Sequence, residues 1–141
     1  MRTRENRTLV DGDGNPIVAA NVAETLAQVR PTFDLCFIVS NQARVGRGEI
    51  SEAEVRRRFA WLNARLGHPF DDWRWCPHGD ADGCGCRKPQ PGMFLELAAA
   101  YALDLRRSTH VGDAAKDREA AAAAGVGSFV LAREFFGWDR R

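Results

Sequence analysis

The sequence predicts an α/β fold: a three-layer, Rossmann-like parallel sheet with helices on both faces. Three observations carry it. Short strand-like runs alternate with segments of helical period, the pattern that builds parallel sheets through helical crossovers. The run Phe33-Asp-Leu-Cys-Phe-Ile-Val39 reads as a strand buried on both faces. Polar residues then collect just after the strand-like runs, where open α/β sheets place their ligands. With 141 residues the chain fits a single domain, residues 1–141, with one core and no room for a large inserted cap.

The elements follow in order. Thr8-Leu-Val10 is a short strand that ends at Asp11-Gly-Asp-Gly14. Val22, Leu26 and Val29 recur at helical spacing, and Pro31 closes that helix. The strand 33–39 empties into the polar loop Ser40–Gly48. Ser51-x-x-Glu54 has the capping-box pattern, and Val55, Phe59, Leu62 and Leu66 follow on one face of the next helix. Trp73–Cys76 forms a third strand leading into a cysteine-rich loop. Pro91 suits a helix first turn, with Phe94, Leu97, Ala98 and Tyr101 as the buried stripe. Ser108–Gly112 is a fourth strand, the alanine-rich stretch to Ala124 a helix closed by Gly125, and Ser128–Leu131 a fifth strand.

Composition narrows the function. Apolar residues make up 45% and charged residues 28% of the chain, as in an ordinary globular protein. Twenty Lys and Arg balance 19 Asp and Glu, for a formal net charge of +1. No global basic field draws such a chain to nucleic acid or to a membrane surface. Its apolar runs are too short to span a bilayer, and its charged start lacks the apolar core of a signal peptide. The expected setting is the cytoplasm, and the expected state a monomer or small homo-oligomer.

Of the four cysteines, Cys36 sits in the apolar run and reads as a core residue. The other three lie close together beside a histidine. Cys76-x-His78 and Cys84-x-Cys86 place four soft or borderline ligands in one loop, 76–86. Zn²⁺ takes four such ligands in a tetrahedron, and a Cys₃His set leaves no position open for substrate or water. The loop is thus expected to hold a structural zinc.

Asp113 and Asp117 stand four apart in Gly-Asp-x-x-x-Asp after the fourth strand. On an opening helix both carboxylates face one way, as a Mg²⁺ site asks. Ser40 and Asn41 follow a buried strand, where a hydroxyl and nearby amides can hold a phosphate oxygen. Lys88, set between Cys86-Arg87 and Pro89, is a point cation whose stem the metal loop would fix. Asp11 and Asp13, two apart at a strand end, can divide the work of nucleophile and general acid/base.

Taken in order, these segments resemble the haloacid dehalogenase (HAD) superfamily of phosphatases, most of all its heptose-bisphosphate and histidinol-phosphate phosphatase branch. Ser40-Asn-Gln with Arg47-Gly48 is similar to the second motif of that branch. Cys76-Pro-His78 through Cys84-Gly-Cys-Arg-Lys-Pro89 is similar to its zinc loop joined to the third-motif lysine. Val111-Gly-Asp-Ala-Ala-Lys-Asp117 is similar to its fourth motif. The resemblance implies hydrolysis of a small-molecule phosphomonoester with Mg²⁺ as cofactor. Asp11 is then the nucleophile that forms an aspartyl-phosphate, and Asp13 the general acid and base. Ser40 and Lys88 hold the transferring oxygens. Asp113 completes the magnesium site with Asp11 and Asp13, and Asp117 supports that site or Lys88. Asn41, Arg47 and Arg87 grip the rest of the anionic substrate.

The first motif admits two registers. In one, Asp11-Gly-Asp-Gly14 supplies both catalytic carboxylates, with Asn15 in place of the family threonine. In the other, Thr8-Leu-Val10 matches the Thr-Leu-Val that follows the motif, and Asp11–Gly14 becomes the turn of a hairpin flap. Arg4 and Asn6 would then stand in the aspartate positions, and the chain would be a degenerate phosphatase that binds a phosphorylated ligand without turnover. The first register is preferred because it supplies a strand and a nucleophile together.

Overall fold

The computed structural model describes residues 10–138. The chain divides into two compact units, Met1–Phe37 with Ile50–Trp73, and Ile38–Glu49 with Arg74–Arg141. The predicted strand at Thr8-Leu9 lies outside the described residues.

In the first unit Val10 bridges Pro16 in antiparallel fashion, so Asp11–Asn15 is the tip of a small hairpin. Helix α1, Val22–Val29, buries Leu26, the middle residue of the predicted stripe. Pro31 falls in the 3₁₀ turn Arg30–Thr32 that ends it. Helix α3, Glu52–Arg65, starts where Ser51 Oγ accepts the Glu54 N–H at 3.0 Å, as the capping pattern predicts. Its apolar face buries Val55 and half-buries Phe59, Leu62 and Leu66, and the Phe59 ring lies 6.0 Å from that of Trp73. Arg30 then ties three segments of this unit together. It donates to Phe33 O at 2.6 Å, to Pro69 O at 2.7 Å and to Asp71 Oδ2 at 2.9 Å.

That knot corrects the strand predicted at 33–39. Phe33 and Leu35 are 42% and 36% exposed, and the strand β1 runs Phe37–Asn41. Before Phe37 the backbone is bonded to side chains: the Cys36 N–H donates to Asp71 Oδ2 at 2.8 Å, and Phe33 O is held by Arg30. Cys36 is half-buried, not a core residue.

In the second unit β1 pairs with β2, Asp72–Cys76, and each strand passes from the first unit into the second. The loop predicted from Ser40 instead keeps Ser40 and Asn41 in the strand, both buried, followed by the single turn α2, Ala43–Gly46. Helix α4, Gly92–Tyr101, uses Pro91 as its N-cap and buries Met93, Phe94 and Leu97. Strands β3, Thr109–Gly112, and β4, Ser128–Leu131, pair in parallel with Thr109 opposite Ser128 and Gly112 opposite Leu131. Helix α5, Ala115–Ala124, is their crossover. It packs Ala120 and Ala121 inward and stops at Gly125, whose φ of 84° only glycine adopts cheaply. The short helix α6, Ala132–Phe135, has no counterpart in the sequence reading. The described strands therefore form two two-stranded sheets, with the predicted βαβ crossover in the second. Among the described residues no stretch between elements is long enough for a separate cap, and no helix is long and apolar enough to cross a membrane.

Candidate active site and metal centre

The second unit brings most of the predicted residues together. Asn41, at the end of β1, clamps the backbone of Lys88 from both sides. Its Oδ1 accepts the Lys88 N–H at 3.0 Å and its Nδ2 donates to Lys88 O at 3.2 Å. The ammonium then reaches Asp117 Oδ1 at 2.6 Å, in a pair whose side chains are only 11% and 4% exposed. Asp117 Oδ2 takes the N–H groups of Asp113 and Ala114 at 3.1 and 3.0 Å. Burial opposes ionisation of Asp117, but the His110 ring, the Lys88 charge and the Ala114 N–H outweigh it and hold the carboxyl far below the usual carboxylate range. Asp117 is thus the hub that fixes both Lys88 and the turn carrying Asp113, while Asp113 itself is exposed.

This hub depends on a glycine. A Cβ at Gly112 would lie 2.5 Å from Asp117 Cβ, closer than side chains tolerate. Gly112→Ala should therefore displace Asp117 and cost about 1–3 kcal/mol, the range for overpacking a close-packed site. Urea denaturation checks the value, and an unchanged midpoint would contradict the close approach.

Ser40, buried on β1, is held by Gln42, whose Nε2 donates to Ser40 Oγ at 2.9 Å. Since Gln42 fills a lone pair of the hydroxyl, the Ser40 proton is directed elsewhere. The Gln42 backbone N–H donates to Cys76 O at 2.7 Å and that of Gly46 to Pro77 O at 3.0 Å, so the β1–α2 turn sits on the start of the cysteine loop.

In that loop the ligand atoms of Cys76, His78, Cys84 and Cys86 all lie within 4.8 Å of one another. His78 Nδ1 is 3.3 Å from both Cys76 Sγ and Cys86 Sγ, and the Cys76 and Cys84 sulfurs are 3.6 Å apart. The Cys76 and Cys86 sulfurs are only 2.8 Å apart, against an edge of ~3.8 Å in a Zn–S tetrahedron, so the four ligands are gathered for a metal ion but this pair must part to take one. Burial pushes the Cys76 thiol up to about 12. Desolvation works against the Cys84 thiolate too, but the N–H groups of Arg87 and Cys86 hold that thiol down to about 6.

The loop fixes Arg87 as well. Its Nε donates to Asp80 Oδ1 at 2.7 Å and its Nη1 to His78 O at 3.1 Å, while its backbone N–H points at Cys84 Sγ at 3.4 Å. Gly92 N–H donates to Gly85 O at 2.8 Å, and that contact leaves no space for a Cβ at Gly92. The first turn of α4 therefore rests directly on the cysteine loop. Arg47, by contrast, is paired with Glu49 at the surface.

The chain as a whole is similar to proteins of known family. A family model for HAD-hydrolase-like proteins matches residues 85–137. D-glycero-β-D-manno-heptose-1,7-bisphosphate 7-phosphatase of Rhodopseudomonas palustris is 41% identical over 118 residues, covering 77% of this chain. The chain belongs to the HAD-like family. The enzyme of the same name from Vibrio cholerae is 38% identical over 122 residues, covering 79% of this HAD-like chain. The chain spans 66% of the length of each of these two relatives. Among solved structures, the D,D-heptose 1,7-bisphosphate phosphatase of Bordetella bronchiseptica, complexed with magnesium and phosphate, aligns with TM-score 0.75 at 29% identity, over 86% of this chain and 72% of its own. A putative HAD-like phosphatase from Mesorhizobium loti aligns with TM-score 0.69 at 26% identity, over 78% and 57%.

Asp11 and Asp13 belong to the first unit and sit in its hairpin tip. Asp11 Oδ1 accepts the N–H groups of Asp13 and Asn15 at 2.9 and 3.0 Å, and Asp11 N–H donates to Asn15 O at 2.8 Å. Arg4 and Asn6, the residues of the second register, lie outside the described residues. Sequence reasoning missed three contributors: His110, Gln42 as the holder of Ser40, and Asp80 as the holder of Arg87. Gln42 stood within the quoted Ser40-Asn-Gln motif and Asp80 within the loop. His110 carried no signal, since nothing marks one strand residue as neighbour to a carboxylate seven positions on.

Proposed function

We propose that this chain hydrolyses the phosphomonoester of a small phosphorylated sugar, a bisphosphate of the heptose-1,7-bisphosphate type, in the cytoplasm. The observation that carries the reading is the buried Lys88–Asp117 pair with the Asn41 clamp. It supports the reading because it fixes one cation, and phosphoryl transfer asks for positioned positive charge. In this reading the Asp11 carboxylate attacks phosphorus and the bond from phosphorus to the ester oxygen breaks. Asp13 gives its proton to the departing alkoxide, then removes one from the water that hydrolyses the aspartyl-phosphate. Inorganic phosphate leaves and both carboxylates are restored.

Ser40 and Lys88 would bind the transferring oxygens and Arg47 and Arg87 would grip the remainder of the substrate, while Asn41, with both polar atoms on the Lys88 backbone, holds that lysine. By the family resemblance Asp11, Asp13 and Asp113 would be the carboxylates for Mg²⁺, which when bound would neutralise phosphoryl charge. Both oxygens of Asp117 are already engaged, so we place it as the holder of Lys88 rather than as a magnesium ligand. The Cys₃His loop suits a structural Zn²⁺ with no open position. Phosphate release from heptose 1,7-bisphosphate and other sugar bisphosphates with Mg²⁺ tests the reading. Asp11→Asn should lower the rate by at least ~10³-fold, since it removes the nucleophile; an equal rate would refute the assignment.

One observation favours a second reading, in which the chain binds a phosphorylated ligand without turnover. Asp11–Gly14 forms a hairpin turn, as the flap register expects, with the Asp11 carboxylate bonded within its own turn. A base-labile phosphoryl adduct on Asp11 would refute this second reading.

A further inference from the structure

The hairpin that carries Asp11 and Asp13 is not held by its own bonds alone. Arg57, on α3, donates from Nη2 to Gly14 O at 2.7 Å and from Nη1 to Asn15 Oδ1 at 2.8 Å. Its fork is held in turn by Glu54, which takes Nε at 2.6 Å and Nη2 at 3.0 Å. Glu54 also receives Arg58 Nε at 2.9 Å, and its N–H is capped by Ser51. A guanidinium suits this duty because its planar donors can serve a carboxylate on one side and two oxygens on the other. Gly14 itself has φ 79°, which turns its carbonyl toward that fork.

We propose that Arg57, aligned by Glu54, is a positioning residue that latches the hairpin 10–16 to α3 and so fixes the Asp11/Asp13 pair. The inference rests on the phosphatase reading for its catalytic consequence, but not for the latch itself. Four oriented bonds run through one side chain, and two of them end on the hairpin backbone and on the Asn15 amide. Among the described residues, the tip without the latch keeps only its internal turn bonds and one antiparallel bridge, and two-stranded hairpins are marginal on their own. The residue acts through Asp11 and Asp13 and touches no reacting atom.

Amide hydrogen exchange on the whole chain tests the latch. The N–H groups of Asp13, Gly14 and Asn15 all donate within the turn, to Asp11 Oδ1 or O, and report its closure. In Arg57→Met their exchange should accelerate about tenfold, the factor for losing one or two charge-assisted hydrogen bonds of ~1.4 kcal/mol net. Glu54→Gln should move them in the same direction, and Arg57→Lys, which keeps the charge but not the fork, should fall between. Exchange in the rest of α3 should stay unchanged. Unaltered exchange at the tip in Arg57→Met, or acceleration spread evenly through α3, would overturn the latch. Turnover gives the second readout: with the tip loosened, kcat should fall about tenfold while KM holds, because ligand-binding residues of the second unit are untouched. An exchange response in Arg57→Met, together with a wild-type chain that hydrolyses no phosphate ester, would refute the phosphatase reading and leave the latch standing.

Discussion

Lys88→Met should weaken inorganic phosphate binding by roughly a hundredfold, the loss of one strong charge-assisted contact, and should destabilise the fold by about 3–5 kcal/mol, the cost of stranding a buried charge. The two effects share one cause. Asp117 is 3% exposed, and its charge is supported by the ammonium at 2.6 Å and by two backbone N–H groups. Methionine fills the lysine stem but brings no charge, so the carboxylate must either stay ionised without its partner or take up a proton. Because the folded-state acid is held below its ordinary value, the stability it contributes is full at neutral pH and declines only as acid protonates it. The loss in Lys88→Met should therefore be large at pH 7 and shrink below about pH 4, near the unfolded aspartate value. Adding Asp117→Asn should restore part of the stability while leaving phosphate binding weak, since the stranded charge is removed but the cation is not returned. Urea denaturation at two pH values and phosphate titration of the wild type and the two variants decide it. A stability loss below ~1 kcal/mol would mean the pair behaves as a surface ion pair.

The features that sequence made legible are those whose chemistry is local. The cysteine loop reads directly because metal ligation restricts four side-chain types to a short span, and the structure gathers those four. Ser51 and Glu54 read as a helix start because a cap is closed within one turn. Strand β1 was misplaced by four residues at its start because an unseen side chain, Asp71, takes the Cys36 N–H that the pattern assigns to a ladder. The Asn41–Lys88 clamp joins residues 47 apart, and no periodicity encodes such a pairing. The resemblance leaves Asp117 two roles, at the magnesium site or on Lys88. Its spacing was informative, but only the fold reveals that both oxygens are consumed by Lys88 and the Asp113–Ala114 backbone. The hairpin at Asp11 shows the same limit, because Asp-Gly-Asp-Gly is at once a carboxylate pair and a turn former.

Removing the metal from the Cys76–Cys86 loop should lower Tm by roughly 10 °C, equivalent to about 3 kcal/mol for a chain of this size. Structural zinc contributes ~10–16 kcal/mol in peptides that have no other core. Here Met93, Phe94, Leu97, Ala120 and Ala121 are also buried on helices outside the loop, so the β3–α5–β4 portion should survive chelation and the loss should be partial. What unfolds is set by the contacts of the loop. Pro77 O holds the Gly46 N–H, Gly85 O holds the first turn of α4, and His78 O and Asp80 hold Arg87. Phosphate affinity should fall with the metal, because Arg87 loses its frame and Lys88 loses the loop that precedes it, even though Asn41 still clamps its backbone. Cys84→Ser should reproduce chelation, with one bound Zn²⁺ in the wild type and none in the variant by elemental analysis. Exchange should rise across residues 77–87 and stay low in β3 and β4. If the chelated chain stays folded and binds phosphate as tightly as before, the loop only staples the structure; a joint loss of loop order and affinity makes it the brace of the phosphate site.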